Sequence, residues 1–259
     1  MKKSGIISLR CFWPLIGKDF AADWDGRNGS GSSFTLRGVS MALSPKDILS
    51  ALQWDFLSFF FQGAPPFFLT GGTALSAFYL QHRYSEDLDL FTLDSDAFDR
   101  VPLYVADTGT RLNASVASLQ TAPQFHRYRL SRNQESVIVD FVKEIVPQIS
   151  QVKNRFEGIV VDTLDDIAAN KVCTVVSRAE IKDYIDLYFL ARAGYPLEKF
   201  IQPAQQKDAG VSQAMVAYLL SDFRLSKVPD FMIAPISLEE VQEYFQSLAR
   251  KLAVESFPQ

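Results

Sequence analysis

Cysteine and histidine are both scarce in this chain of 259 residues. Cys11 and Cys173 are the only cysteines, and His82 and His126 are the only histidines. Two distant cysteines are too few for a disulfide framework or a thiolate zinc site, and they fit a reducing compartment. So few imidazoles also argue against most zinc chemistry and against a serine–histidine–aspartate hydrolase. Carboxylates are left as the main groups for chemistry.

A long apolar run and a basic excess are also missing. The most apolar stretch, residues 54–69, is broken by a glutamine, a glycine and two prolines, so we predict no membrane span. Arg10 interrupts the apolar N-terminus, which argues against a signal peptide. The formal net charge is -4, so any contact with nucleic acid must be local. We expect a cytoplasmic protein with no membrane association.

The order of the sequence patterns predicts an α+β protein with two lobes. Residues 1–40 show no periodicity and include a glycine- and serine-rich stretch, which indicates a flexible leader. Because Met41 precedes the first regular segment, the natural start remains open between Met1 and Met41. Strand patterns dominate residues 41–160 and helical patterns dominate residues 161–259, which predicts a catalytic sheet lobe followed by a helical lobe.

Periodicity, capping residues and turn residues give the individual elements. The predicted helices are 44–61, 73–81, 163–178, 180–193, 211–223 and 238–254. The predicted strands are 67–69, 87–92 and 136–142, with further strands expected within 104–130.

The strongest chemical signal is the pair Asp87 and Asp89. The two-residue period of a strand places both carboxylates on one face and the intervening leucines on the other. Neighbouring carboxylates repel each other, and Mg²⁺ relieves this repulsion by binding both together with substrate phosphates. The alternative is a half-exposed strand whose acids are simply solvated.

Gly71 and Gly72 lie at a predicted strand-to-helix turn, one helix upstream of the acids. Without side chains, such a turn lets a phosphate approach the backbone N–H groups at the start of a helix. Arg83 and Ser85 supply a bidentate cation and a hydroxyl suited to triphosphate oxygens. The alternatives are an ordinary turn and a polar loop.

Three charged residues interrupt the predicted apolar helices. Lys171 lies on the apolar stripe of its helix, where it would bind an anion or extend its amine past the core. Asp183 and Asp186, three residues apart on the next helix, would orient Lys171, contact a nucleotide or form simple helix-to-helix ion pairs.

Another acid and a set of arginines are less specific signals. Asp140, inside a β-rich run, would act as a third acid, either as a metal ligand or as the base for an incoming hydroxyl, or would face water on an edge strand. Arg127, Arg129 and Arg132 form a small basic patch that would hold an RNA backbone or be a solvated strand face.

Two segments carry a resemblance to a known family. Gly71-Gly72-Thr73-Ala74-Leu75 and His82-Arg83-Tyr84-Ser85-Glu86-Asp87-Leu88-Asp89-Leu90-Phe91 resemble the signature of the AbiEii/AbiGii-type toxins, which have a nucleotidyltransferase fold. Lys171 and the segment 178–187 resemble later family elements, so the resemblance covers about residues 44–193. It implies a nucleotidyltransferase-like mixed β-sheet lobe whose nucleotide site is completed by the helical lobe.

The resemblance also implies roles for residues and partners. Asp87 and Asp89 would bind Mg²⁺, or Mn²⁺ in its place, while the glycine turn with Thr73, Arg83 and Ser85 would bind the nucleotide. The expected reaction transfers a nucleoside monophosphate from an NTP to a hydroxyl of RNA, such as tRNA, or of a protein. A separate antitoxin protein would make the chain the toxin of a toxin-antitoxin or phage-defence pair. A small-molecule nucleotidyltransferase, a non-catalytic nucleotide-binding module and a housekeeping role remain alternatives.

Overall fold

The computed structural model describes residues 35–36, 39–40 and 43–256. Most of the predicted leader therefore lies outside the described residues. Met1 and Met41, the two candidate starts of the natural chain, lie outside them as well. Of the described helices, none combines the length and the apolar character needed to span a membrane.

Up to residue 161 the described elements are a mixture of strands and helices. From residue 164 onward they are helical. The strands are β1 Thr35–Leu36, β2 Val39–Ser40, β3 Phe68–Thr70, β4 Asp87–Thr92, β5 Ser115–Ala122, β6 Phe125–Arg132, β7 Glu135–Lys143, β8 Asn154–Phe156 and β9 Ile159–Val161. The helices are α1 Pro45–Ile48, α2 Ala51–Gln62, α3 Gly71–Leu75, α4 Ser95–Asp99, α5 Val101–Leu112, α6 Leu164–Arg178, α7 Ile181–Arg192, α8 Ile201–Lys207, α9 Gln213–Asp222 and α10 Leu238–Ser256. A π-helical turn, Ser76–Leu80, extends α3, and a 3-10 turn, Leu197–Phe200, precedes α8.

Seven strands form one mixed sheet in the order β5-β6-β7-β4-β3-β9-β8. Strand β4 runs parallel to β7, and β3 runs parallel to β9, while the other neighbours are antiparallel. Helices and a mixed sheet in this arrangement confirm the predicted α+β class.

The main core lies on one face of this sheet. Leu88 and Leu90 of β4 are fully buried there, next to Phe141 of β7. The Phe141 ring lies 5.7 Å from the ring of Phe60 on α2. Because side chains alternate along a strand, the acids of β4 project from the opposite face. That opposite face carries the candidate site.

Most predicted elements are confirmed, but the predicted helix 44–61 is two helices. Ser50 caps α2, accepting a hydrogen bond from the Gln53 backbone N–H at 3.2 Å, and Leu49 before it is extended. A second capping box inside one apolar pattern thus starts a new helix.

The prediction of further strands within 104–130 is confirmed by β5 and β6, but the first part of that range is helical. Residues 101–112 form α5, whose buried positions Val101, Val105, Thr108 and Leu112 recur at helical spacing. Packing of this face on the sheet decides the conformation, and the strand begins only at Ser115. The short elements β8, β9 and α8 were not predicted.

Candidate active site

Strand register places four of the site's side chains in one row across the sheet. Asp89 of β4 is opposite Thr70 of β3 on one side and opposite Asp140 of β7 on the other. Asp140 is in turn opposite Arg127 of β6. Residues that are directly opposite share a face, so this row continues the face that Asp87 and Asp89 occupy. The sheet therefore gathers three carboxylates and one guanidinium on one surface.

Burial makes the carboxylates of this row costly to ionise. Asp89 is 8 % exposed, and burial together with the charges of Asp140 and Asp87 raises its pKa to about 7. Burial and the charge of Asp140 also raise the pKa of Asp87 above its ordinary value. A cation placed between Asp87 and Asp89 would remove this penalty, because it favours the ionised forms of both.

The glycine turn lies directly against the acids. Gly71 has a φ of 71°, and a Cβ built on it would overlap the Asp89 carboxylate. A Cβ on Gly72 would overlap Arg83 Nη2 and lie 3.2 Å from Ser85 Oγ. Glycine is required at both positions because the backbone, Asp89 and the Arg83–Ser85 segment meet there. The structure thus brings these predicted site residues together.

Thr73 has a different position from the rest of the turn. It is fully buried, and its hydroxyl donates a hydrogen bond to the backbone carbonyl of Asp87. This bond ties α3 to the start of β4. Thr73 is placed to fix the position of Asp87 relative to the glycine turn.

Asp140 is held by an arginine. Arg127 Nε and Nη2 donate hydrogen bonds to its two carboxylate oxygens at 2.7 and 2.6 Å. Burial raises the pKa of Asp140, and the Arg127 guanidinium opposes that rise.

The predicted basic patch is not a patch. Arg127 is paired with Asp140, and Arg132 projects to the other face of β6, where Nη1 lies 2.8 Å from Oδ2 of Asp55 on α2. Arg129 alone of the three is exposed on the face of the acids. Arg132 lies an odd number of residues from Arg127 and Arg129. Because side chains alternate along a strand, it is on the opposite face.

Helices α6 and α7 contribute an ionic cluster beside the sheet, formed by Arg83, Lys171, Arg178, Asp183 and Asp186. Lys171 Nζ lies 2.9 Å from Asp183 Oδ1 and 2.5 Å from Asp186 Oδ2. Arg83 donates from Nε and Nη2 to Asp186 at 2.8 and 2.9 Å, and Arg178 donates to both oxygens of Asp183. Of the roles left open for the two aspartates, the structure shows ion pairs from helix α7 to Lys171 on helix α6.

Both aspartates of the ionic cluster are ionised despite complete burial. Burial alone would raise the pKa of Asp186, but Arg83, Lys171 and a hydrogen bond with His82 hold it well below its ordinary value. Lys171 and Arg178 likewise lower the pKa of Asp183. Burial lowers the pKa of His82, which favours a neutral ring that donates from Nε2 to Asp186 at 2.7 Å.

This cluster acts on the acids of the sheet. The positive charges of Lys171 and Arg178 oppose the rise in the pKa of Asp89. With three cations against two aspartates, the ionic cluster has a surplus positive charge beside the carboxylate row. Such an arrangement suits a polyanionic substrate that lies between the helical part and the sheet.

Comparison with known proteins gives a family match. The family model described as "Nucleotidyl transferase AbiEii toxin, Type IV TA system" matches residues 57–258. The chain belongs to the AbiEii nucleotidyltransferase toxin family. The match extends past the resemblance found in the sequence and includes the C-terminal helices.

Individual relatives are more distant. The chain is 26% identical over 192 residues to the uncharacterized protein aq_aa25 of Aquifex aeolicus strain VF5, covering 70% of this chain and 84% of that protein. JHP933 of Helicobacter pylori superposes with a TM-score of 0.51 at 20% identity, over 79% of this chain and 90% of that chain. MenT4, a nucleotidyltransferase toxin of Mycobacterium tuberculosis, superposes with a TM-score of 0.52 at 15% identity, over 78% of this chain and 85% of that chain. These two likenesses support the fold.

Two cations near the candidate site were not predicted from the sequence. Arg178 anchors Asp183, and the positive charge of Lys182 opposes the rise in the pKa of Asp87. Both lie inside the segment that resembles the family, but helical spacing does not show which neighbour a long side chain reaches. The pairing of Arg127 with Asp140 was missed as well, since it depends on the register of β6 and β7.

Proposed function

We propose that the chain transfers a nucleoside monophosphate from an NTP to an acceptor hydroxyl, with Asp87 and Asp89 binding a divalent metal ion. The observation that carries the proposal is the contact between the glycine turn and the Asp89 carboxylate. In this arrangement the backbone N–H groups of the turn, the buried Asp89 and the half-buried Asp87 would contact one substrate.

The carboxylates fit a hard divalent cation. Among the described residues there is no cluster of three or more histidine, cysteine, aspartate or glutamate side chains that could hold a metal ion. Magnesium, however, is commonly held by one or two carboxylates together with substrate phosphates and water. When bound by Asp87 and Asp89, Mg²⁺, or Mn²⁺ in its place, would neutralise charge on the phosphates during transfer.

The chain's own groups position and polarise the substrate. Gly71 and Gly72 present backbone N–H groups to the triphosphate, with the Ser85 hydroxyl and the Arg83 guanidinium beside them. Lys171 donates two of its three N–H bonds to aspartates and keeps one for a phosphate oxygen. Asp183 and Asp186 hold Lys171 in place.

The reaction forms a bond between the acceptor oxygen and the α-phosphorus and breaks the bond from that phosphorus to the bridging oxygen. Pyrophosphate leaves, and Asp140 accepts the proton of the acceptor hydroxyl. The Arg127 guanidinium keeps the Asp140 carboxylate fixed in its place in the row. Charge neutralisation and positioning then supply the catalysis.

The acceptor that we propose is RNA, such as tRNA, or a protein, and the setting is a toxin-antitoxin or phage-defence pair with a separate antitoxin.

The purified chain is incubated with each α-labelled NTP, with or without Mg²⁺, and with total cellular RNA and protein. Label should enter a macromolecule with wild type and be lost with Asp89→Asn, while Asp107→Asn, at an exposed acid on α5, keeps it. Label in a small molecule would identify a small-molecule enzyme, and nucleotide binding without any product would refute catalysis.

A further inference from the structure

The side chain of Gln53, buried in the first turn of α2, is hydrogen-bonded through both the oxygen and the nitrogen of its amide. Its Oε1 accepts a hydrogen bond from the Ser50 N–H at 2.8 Å, which completes the capping box of the helix. Its Nε2 donates to the backbone carbonyls of Ser85 and Glu86, both at 2.9 Å. The side chain therefore joins α2 to the two residues before β4.

The helix cap alone does not account for an amide at this position. A capping box takes either glutamate or glutamine three residues after its first residue, because both supply the oxygen that accepts from the cap N–H. The carbonyls of residues 85 and 86 can only accept, so the group that faces them has to donate. Of glutamate and glutamine, only glutamine has such donors when both are in their ordinary forms at neutral pH. The segment before β4, rather than the helix, requires the glutamine.

Residues 85–86 border the glycine turn. The Ser85 hydroxyl oxygen would lie 3.2 Å from a Cβ on Gly72. These two residues precede β4, whose pairing with β7 begins at Asp87, so a side chain rather than a neighbouring strand holds their carbonyls. The next carbonyl along the chain, that of Asp87, accepts from the Thr73 hydroxyl. Side chains of α2 and α3 thus hold three consecutive carbonyls where the segment joins β4.

We infer that Gln53 is a positioning residue of the candidate site: it fixes the Ser85 hydroxyl beside the glycine turn, where that hydroxyl would bind a triphosphate oxygen. The inference rests on the proposed function, which supplies the triphosphate. One planar amide bonded to two successive carbonyls fixes the peptide group between them relative to α2, and this restrains the backbone that carries the Ser85 side chain.

This role would extend the site beyond the segments that carry the family resemblance. Gln53 precedes residues 57–258, which the family model matches. The helix that carries it contributes Leu52, Phe56 and Phe60 to the main core. Support for the Ser85 hydroxyl therefore comes from a helix that packs on the face of the sheet opposite the acids.

Two substitutions on α2 separate this role from the helix cap. Gln53→Met has a similar volume and removes both donors to the segment before β4. Ser50→Ala removes the hydroxyl that accepts from the Gln53 N–H but leaves the Gln53 amide donors in place. Both should lower the urea midpoint, because both weaken the cap. Only Gln53→Met should also weaken nucleotide binding.

Titration calorimetry measures binding of the α,β-methylene analogue of each NTP in the presence of Mg²⁺, since these analogues bind without being consumed. Gln53→Met should raise the dissociation constant roughly tenfold, because the hydrogen bond from Ser85 to a charged phosphate is misaligned. Ser50→Ala should leave the dissociation constant unchanged.

Ser85→Ala shows whether the effect passes through the Ser85 hydroxyl. In this background Gln53→Met has no hydroxyl to misplace, so the double variant should bind the analogue as Ser85→Ala does. A general loss of structure would weaken binding by the same factor in both backgrounds. Where Gln53→Met does not fold, Gln53→Asn replaces it. Its amide is one methylene shorter and cannot reach both carbonyls, so the same direction of change is expected.

The titrations separate failure of the inference from failure of the proposed function. A dissociation constant for Gln53→Met equal to that of wild type overturns the inference and leaves the proposed function standing. An equal loss of binding in Ser50→Ala, or an equal factor with and without the Ser85 hydroxyl, also overturns it. A wild type that binds none of the analogues refutes the proposed function, and with it the inference.

Discussion

The substitution Asp89→Asn tests the electrostatics of the row that contains Asp89 and Asp140. The quantity measured is the free energy of unfolding, and no activity assay is needed. Asp89→Asn keeps the size of the side chain and removes its charge. In the unfolded chain the aspartate ionises near pH 3.9, whereas burial and its acidic neighbours raise the pKa in the folded protein to about 7. The folded state therefore holds the proton over a range in which the unfolded state has released it.

The sign and size of the effect follow from proton linkage. As pH rises from about 4 to about 7, wild type loses stability because only the unfolded state gives up the Asp89 proton. Below this range both states are protonated and the penalty is absent, and above it both are ionised and the penalty is complete. A difference of about three pKa units corresponds to about 4 kcal/mol. Asparagine does not titrate, so the variant avoids this penalty.

Urea denaturation without divalent metal measures the prediction. The free energy of unfolding of Asp89→Asn should exceed that of wild type by roughly 1.5 kcal/mol at pH 5 and by roughly 4 kcal/mol at pH 8. Asp107→Asn, at an exposed acid, should give a difference that hardly changes between the two values of pH. A difference for Asp89→Asn that is equal at pH 5 and pH 8 would refute a buried carboxylate with a raised pKa.

Two more substitutions follow from the packing of the site. Gly71→Ala should lower the free energy of unfolding by more than about 2 kcal/mol, because its methyl group overlaps the Asp89 carboxylate in addition to the strain of positive φ. Gly158→Ala has the same kind of φ with open space around it and should cost only about 1 kcal/mol, so equal losses in urea denaturation would contradict the close approach. Lys171→Met should destabilise the protein by about 3 kcal/mol, because it leaves two buried aspartates with one cation fewer. An unchanged or raised urea midpoint for Lys171→Met would show that the lysine is not an ion-pair partner in solution.

Local signals in the sequence were enough for the elements that carry the site. The alternation of Asp87 to Leu90 fixed both the bounds of β4 and the face on which its acids lie, because a strand has a period of two. Thr163 and Asp166 marked the start of α6, and the glycine pair marked the start of α3. These features depend on neighbours within four residues, and such neighbours are visible in one chain read alone. The family resemblance rested on the same short segments.

Only the tertiary structure decided which of these elements meet. The sequence placed Asp140 in a strand, but the parallel register of β4 and β7 put it beside Asp89, and the register of β6 gave it Arg127. Lys171 was visible as a charge on an apolar stripe, yet its partners come from the next helix and were left open. Strand order and the reach of long side chains are set by packing between distant segments, which no local period encodes.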